Sequence, residues 1–95
     1  MFKIMRVTGS SMLPSLNDGD FVCAMRWPFR WLRSGQIVVV KSSTYGVIIK
    51  RVDHVNIDGT FTLTGDNKAH SVSQEAMGKF TRAQLLGKVI YHTNE

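Results

Sequence analysis

The segment 9–14 is the part of this sequence whose residue types first suggest chemistry. It reads Gly-Ser-Ser-Met-Leu-Pro, and a proline is tolerated in the first turn of a helix. The first backbone N–H groups of such a turn have no partner within it, so they can face the oxyanion that forms when a serine attacks a carbonyl. Ser10 or Ser11 could equally do no more than cap the turn, since caps are far commoner than nucleophiles.

A serine nucleophile needs a base, and Lys50 is the candidate. Side chains alternate along a strand, so Lys50 shares its face with Ile48 and Val52, whereas Arg51 shares the other face with Ile49. Dry neighbours disfavour the ammonium form, and lowering a lysine pKa to the useful range of about 7 to 8 costs roughly 3 to 4 kcal/mol. The alternative is that the Lys50 stem covers the aliphatic residues while its charge stays in water.

Four short motifs follow one another in an order that resembles a known family. They are the segment 9–16 (Gly-Ser-Ser-Met-Leu-Pro-Ser-Leu), the pair Gly19-Asp20, the pair Lys50-Arg51 and the triplet 65–67 (Gly-Asp-Asn). In this order they resemble the motif boxes of the Ser-Lys peptidases, which include type I signal peptidases and LexA-like self-cleaving repressors. The resemblance covers residues 7–92, and in length the chain is similar to the short, soluble maturation proteases of this group.

The resemblance implies a catalytic dyad. In the family the serine before the methionine is the nucleophile and the lysine of the Lys-Arg pair is its base, which assigns these roles to Ser11 and Lys50. The backbone N–H of Ser11 would be one oxyanion donor. Some members add a side-chain hydroxyl two positions earlier, where this chain has Gly9. No metal or cofactor is required.

Three further residues receive supporting roles from the resemblance. Ser71 corresponds to a serine that orients the lysine, Asp66 is expected to shape its turn, and Met12 is expected to line the substrate groove. Many signal peptidases continue with an Asp and an Arg, where this chain has Ser73 and Glu75. The supporting acid-base pair of those enzymes is therefore missing here.

The activity implied is that of a serine endopeptidase acting in trans on a precursor or signal-like peptide through an acyl-enzyme. LexA-like proteins cleave an arm well upstream of their serine, whereas ten residues precede Ser11 and contain no Ala-Gly pair. The family binds substrate as an added strand. Two alternatives stay open. The first is a catalytically inactive basic β-barrel that binds peptide or nucleic acid. The second is a Ser-His-Asp triad that uses one of three histidines, and the spacing favours none of them: His54, His70 and His92.

The elements that must position these residues are mostly short strands. Apolar runs separated by turn residues predict one antiparallel β domain over residues 1–95, with one or two helical turns. The resemblance makes it the coiled sheet of the LexA and signal peptidase type. Strands are expected at 4–7, 21–25, 37–40, 47–56, 60–64 and 87–92, with helical turns after residue 11 and near 82–85. Asp58-Gly59 predicts a hairpin.

Composition and charge add expectations about partners. Twelve Lys and Arg against seven Asp and Glu give a net charge of +5, which favours an anionic partner. The single cysteine excludes an internal disulfide, and no Cys/His spacing fits structural zinc. Trp27, Phe29 and Trp31 alternate with arginines and could rest at a membrane interface, stack on nucleic acid or cover the domain. No apolar run spans a bilayer and no export signal is present, so we expect a cytoplasmic or membrane-peripheral location.

Overall fold

The computed structural model describes residues 2–8, 12–13, 15–26, 32–66 and 78–93. In them the chain forms one six-stranded antiparallel sheet: β1 (Phe2–Arg6), β2 (Phe21–Met25), β3 (Ile37–Ser42), β4 (Gly46–Val55), β5 (Phe61–Thr64) and β6 (Leu85–Thr93). The strand order is β1-β2-β6-β3-β4-β5, so β6 joins the N-terminal hairpin to the central one. This confirms the mostly antiparallel β fold predicted from the sequence.

The strand bounds differ from the predicted ones by small amounts. Strand β1 lies two residues before the predicted start, and β6 begins at Leu85, directly after a single 3-10 turn at Arg82–Gln84. The β4–β5 hairpin turns where Asp58-Gly59 predicted it, and Gly59 has a φ of 92° that other residues adopt only with strain. The described residues contain no helix long and apolar enough to cross a bilayer.

Strand β3 is the centre of the core because it is buried on both faces. Val38, Val39 and Val40 are fully buried, and an unbroken apolar run of this kind is typical of a strand covered on both faces. On one face, Val38 and Val40 pack with aromatic and aliphatic residues from β4, β5, β6 and the flanking loops: Leu32, Val52, Phe61, Leu63, Phe80 and Leu85. This burial on both sides fixes the register of β4, the strand that carries Lys50.

The opposite face holds a second apolar cluster, formed with the segment that follows β1. Met12 and Leu16 from that segment pack with Val7 and Val22, and half-buried side chains from β1, β3, β4 and β6 complete the cluster: Met5, Ile37, Ile49 and Val89. Because Met12 and Leu16 are almost fully buried, the segment is held against the sheet by packing as well as by hydrogen bonds.

Candidate active site

Lys50 is a buried cation on an apolar strand. Its relative exposure is 6%, and it lies directly opposite Val38, which has no exposed surface. Val52, two residues further on the same strand, is equally buried. Burial lowers the pKa of Lys50, because removing water disfavours the ammonium form. Among the described residues no carboxylate forms an ion pair with this amine, so no attraction offsets the effect.

A cleft of about 240 Å³ brings Lys50 together with the segment after β1. Met12 lines this cleft from one side, and Tyr45 and Val47 are half exposed at its rim. The remaining lining comes from residues 5–8 at the end of β1 and from 48–49 of β4. Met12, which was predicted to line a substrate groove, lines this cleft, and it is the residue that directly follows Ser11.

The segment 12–20 is a short turn whose far end is fastened to β1. The Leu16 backbone N–H donates to the Met12 carbonyl at 2.9 Å, so these two residues are joined across a turn. The Val7 N–H donates to the Asp20 carbonyl at 2.8 Å, and the Gly19 N–H donates to the Val7 carbonyl at 2.9 Å. These bonds bring the end of the segment back to β1.

Arg51 lies on the face of β4 opposite to Lys50 and connects that strand to the same turn. Its Nε and one terminal nitrogen donate to the two Asp66 carboxylate oxygens, each at 2.7 Å, and its other terminal nitrogen donates to the Gly35 carbonyl at 2.7 Å. The Ser15 hydroxyl donates to Asp66 and accepts a bond from Arg51 at 3.3 Å. We call this the Ser15–Arg51–Asp66 network. The hydrogen bonds to Asp66 raise the pKa of Arg51.

The strands on the two sides of the cleft have edges that no described strand occupies. Strand β5 pairs with β4 only from Arg51 onward, so residues 46–50 are paired on the β3 side alone. Strand β1 lies at the end of the sheet and pairs only with β2 among the described strands. The N–H and C=O groups of such edges are free to bond an extended chain laid along them.

The predicted site residues fall into two groups. Lys50, Met12 and Asp66 are described: the first two line the cleft, and Asp66 lies on the other face of β4 in its network. The predicted nucleophile Ser11, the neighbouring Gly9 and the supporting Ser71 lie outside the described residues. So do the three aromatic residues proposed to contact a membrane, Trp27, Phe29 and Trp31. The dyad itself therefore stays a prediction.

Sequence reasoning missed Ser15 and Gly35 as partners of the Arg51–Asp66 ion pair. Ser15 belongs to the first motif and Asp66 to the last, 51 positions apart, and only the fold reveals that they meet. The sequence shows an acid in the last motif and an arginine next to the lysine, but it does not show that the two form an ion pair. Among the described residues, no three His, Cys, Asp or Glu side chains converge where a metal ion could bind.

The sequence matches a known family model. The family model described as Peptidase S24-like matches residues 2–90, which is nearly the whole chain and includes all four motifs. A search of curated proteins gave no match.

Proposed function

Because the chain belongs to the Peptidase S24-like family, we propose that it is a serine endopeptidase in which Ser11 is the nucleophile and Lys50 the general base. The observation that carries this proposal is the buried Lys50 amine, whose pKa is lowered by burial alone and which lines the same cleft as Met12, the chain neighbour of Ser11. A lysine so placed is costly to keep charged, and a neutral amine is what a hydroxyl nucleophile requires.

The proposed reaction has two steps. The Ser11 Oγ attacks the peptide carbonyl carbon while the Lys50 amine takes the hydroxyl proton, and the resulting oxyanion accepts a hydrogen bond from the Ser11 backbone N–H. The C–N bond then breaks, and the leaving amine takes the proton from Lys50. In the second step Lys50 takes a proton from water, the hydroxide attacks the ester carbon, and the Ser11 hydroxyl is restored with the proton that Lys50 gives back.

We further propose that the substrate lies in the cleft as an extended strand. The open edges of β1 and of residues 46–50 flank the cleft, and both carry unpaired backbone groups on that side among the described strands. A peptide that bonds to either edge would present its carbonyls at regular spacing along the wall that holds Lys50. Main-chain bonds would supply affinity, and the pockets between Met12, Tyr45 and Val47 would select side chains.

The test is cleavage of a defined peptide mixture. The full chain and its Ser11→Ala variant are incubated with peptides of a proteome digest, and new termini are identified by mass spectrometry. We expect new termini with the unaltered chain and none with Ser11→Ala. A peptide boronate, whose boron forms a reversible bond with a nucleophilic serine, should bind the unaltered chain and protect it on heating.

The same experiment separates an inactive binding module from an enzyme. A chain that binds peptides without producing new termini, and that binds them equally well after Ser11→Ala, would be a peptide-binding protein and the peptidase proposal would be wrong. A chain whose binding of a single-stranded oligonucleotide falls steeply as salt rises, with no cleavage, would favour the nucleic-acid alternative.

A further inference from the structure

One face of the sheet formed by β1, β2 and β6 is apolar and open to solvent. Residues directly opposite each other in antiparallel strands share a face, and Ile4 pairs with Cys23, which pairs with Tyr91. Ile4 is 74% exposed and Tyr91 65% exposed, and Cys23 between them is half-buried. An apolar row therefore crosses three strands, and its two ends, Ile4 and Tyr91, are exposed.

Two phenylalanines extend this row toward both ends of β1. Phe2 is 65% exposed, and Phe21 is 39% exposed with the Arg6 guanidinium carbon 6.0 Å from its ring centroid. We call the set of five side chains the apolar face: Phe2, Ile4, Phe21, Cys23 and Tyr91. Contiguous exposed apolar patches are uncommon on monomeric proteins and mark surfaces that bind a partner.

The charges around the apolar face are of one sign. Strands β1, β2 and β6 contain no Asp or Glu. Arg6 lies directly opposite Phe21 on this face and Lys88 lies directly opposite Met25, whereas Lys3 alternates with Phe2 and Ile4 onto the other face of β1. Long cationic side chains keep their charges at an interface while their stems lie along apolar surface, and tyrosine prefers the same interfacial position. An apolar surface bordered by cations and lacking acids matches a bilayer that contains anionic lipid.

We propose that the apolar face binds the surface of a membrane containing anionic lipid. A second copy of the chain fits this face less well, because a two-fold dimer would place the same cations against each other. The aromatic and basic stretch 27–31, which lies outside the described residues, follows Arg26 in the chain, and membrane contact is one of the three roles that its composition allows. This proposal is independent of catalysis.

Vesicle binding tests the proposal directly. The full chain is sedimented with vesicles of phosphatidylcholine alone and with vesicles that also contain phosphatidylglycerol. We expect binding to the anionic vesicles that weakens as salt rises, and much weaker binding to the neutral ones. Ile4→Ser should lower the affinity for anionic vesicles by about tenfold, because it removes apolar area from the contact.

Two matched controls show whether the loss belongs to this face. Ile57 is fully exposed in the β4–β5 turn, away from β1, so Ile57→Ser should leave vesicle binding unchanged. Arg6→Gln should weaken binding by about fivefold, because Arg6 lies beside Phe21 on this face, whereas Lys41→Gln, on exposed β3 surface, should not. All four positions are exposed, so the variants should keep the circular dichroism spectrum of the parent chain.

Three results would overturn the proposal. The first is equal vesicle binding by the parent chain and Ile4→Ser, including no binding by either. The second is a concentration-dependent dimer in sedimentation equilibrium that Ile4→Ser dissociates, which would assign the apolar face to a second copy. The third is binding of a single-stranded oligonucleotide that Ile4→Ser weakens, in the absence of vesicle binding.

Discussion

Lys50 and Arg51 are adjacent in the chain, yet their side chains lie in opposite electrostatic environments on the two faces of β4. The Lys50 amine is buried without a carboxylate partner among the described residues, whereas the Arg51 guanidinium forms a bidentate ion pair with Asp66. The alternation of a strand separates them by one residue. Burial lowers the pKa of Lys50, whereas the hydrogen bonds to Asp66 raise the pKa of Arg51.

This separation assigns different tasks to the two residues. Arg51 uses its donors to tie β4 to Asp66, Ser15 and Gly35, and its charge is compensated within that network. Lys50 faces the cleft and is the cation that loses water without gaining a counter-charge. Exchanging the lysine and the arginine would not preserve these two tasks, because only a guanidinium forms the planar two-bond contact with a carboxylate.

The first prediction concerns which of two adjacent serines is the nucleophile. Ser11→Ala should lower kcat/KM by at least about a thousandfold, because no other group would form the acyl-enzyme. Ser10→Ala, its matched control, should keep most of the activity. Initial rates on a peptide identified in the digest experiment would measure both. Equal losses in the two variants, or a loss confined to Ser10→Ala, would contradict the assignment.

The second prediction concerns pH. If Lys50 is the base, kcat/KM should rise with pH as its amine deprotonates, and burial should place the midpoint of this rise below the ordinary lysine pKa of about 10.4. Val38 lies directly opposite Lys50 and is fully buried. The hydroxyl of Val38→Thr would accept a hydrogen bond from the Lys50 ammonium, stabilise the charged form and raise the midpoint. The measurement is the pH profile of kcat/KM for each variant.

Val40→Thr is the control for that experiment. Val40 is equally buried, lies two residues further along β3 and faces Ile48 in place of Lys50. Both substitutions bury a hydroxyl at a cost of about 1 to 3 kcal/mol, so both should lower Tm. Only Val38→Thr should move the midpoint of the pH profile, and an equal shift in both variants would exclude Lys50 as its cause.

Much of the fold followed from local sequence signals. The alternation at 48–52 predicted apolar surroundings for Lys50, which is buried as Val52 is, and Asp58-Gly59 predicted the hairpin, because both depend on residues close in the chain. The start of β6 was predicted two residues late. Leu85 and Leu86 carry no turn signal that would mark this boundary. The strand begins at Leu85 because this residue pairs with Val40 of β3.

The candidate site was predictable only in its separate parts. The types of Lys50 and Asp66 suggested roles, but a one-dimensional pattern does not reveal that Asp66 joins Arg51 to Ser15 across the sheet. The open strand edges beside the cleft were also beyond sequence reasoning, since they depend on where β5 stops pairing with β4. Long-range pairings of this kind are set by packing of the whole domain.

The third prediction concerns the Ser15–Arg51–Asp66 network. Asp66→Asn removes the charge that holds Arg51 and weakens the bond from Ser15, at a cost of about 1 to 2 kcal/mol in the free energy of unfolding. Because the network ends at the turn that follows Ser11, kcat should also fall. Urea unfolding and steady-state kinetics measure the two effects. Asp53→Asn, an exposed acid of the same strand, should change neither, and an equal effect there would contradict the network's role.

The last prediction concerns the stability cost of Lys50. Its pKa is lower in the folded chain than in the unfolded chain, so between these two values the unfolded state binds a proton that the folded state does not. Stability should therefore rise with pH through that window, and the cost of the buried ammonium should be largest below it.

Lys50→Met removes this cost while filling the same space, so the variant should melt at a higher temperature than the parent chain at neutral pH. In a domain of this size each kcal/mol gained would raise Tm by about 4 to 8 °C. The difference between parent and variant should shrink as pH rises toward the ordinary lysine pKa, whereas Lys41→Met, at an exposed position of β3, should show no such trend. Thermal melts at a series of pH values measure this, and a difference that stays constant or grows with pH would mean that the Lys50 amine keeps its water in the folded chain.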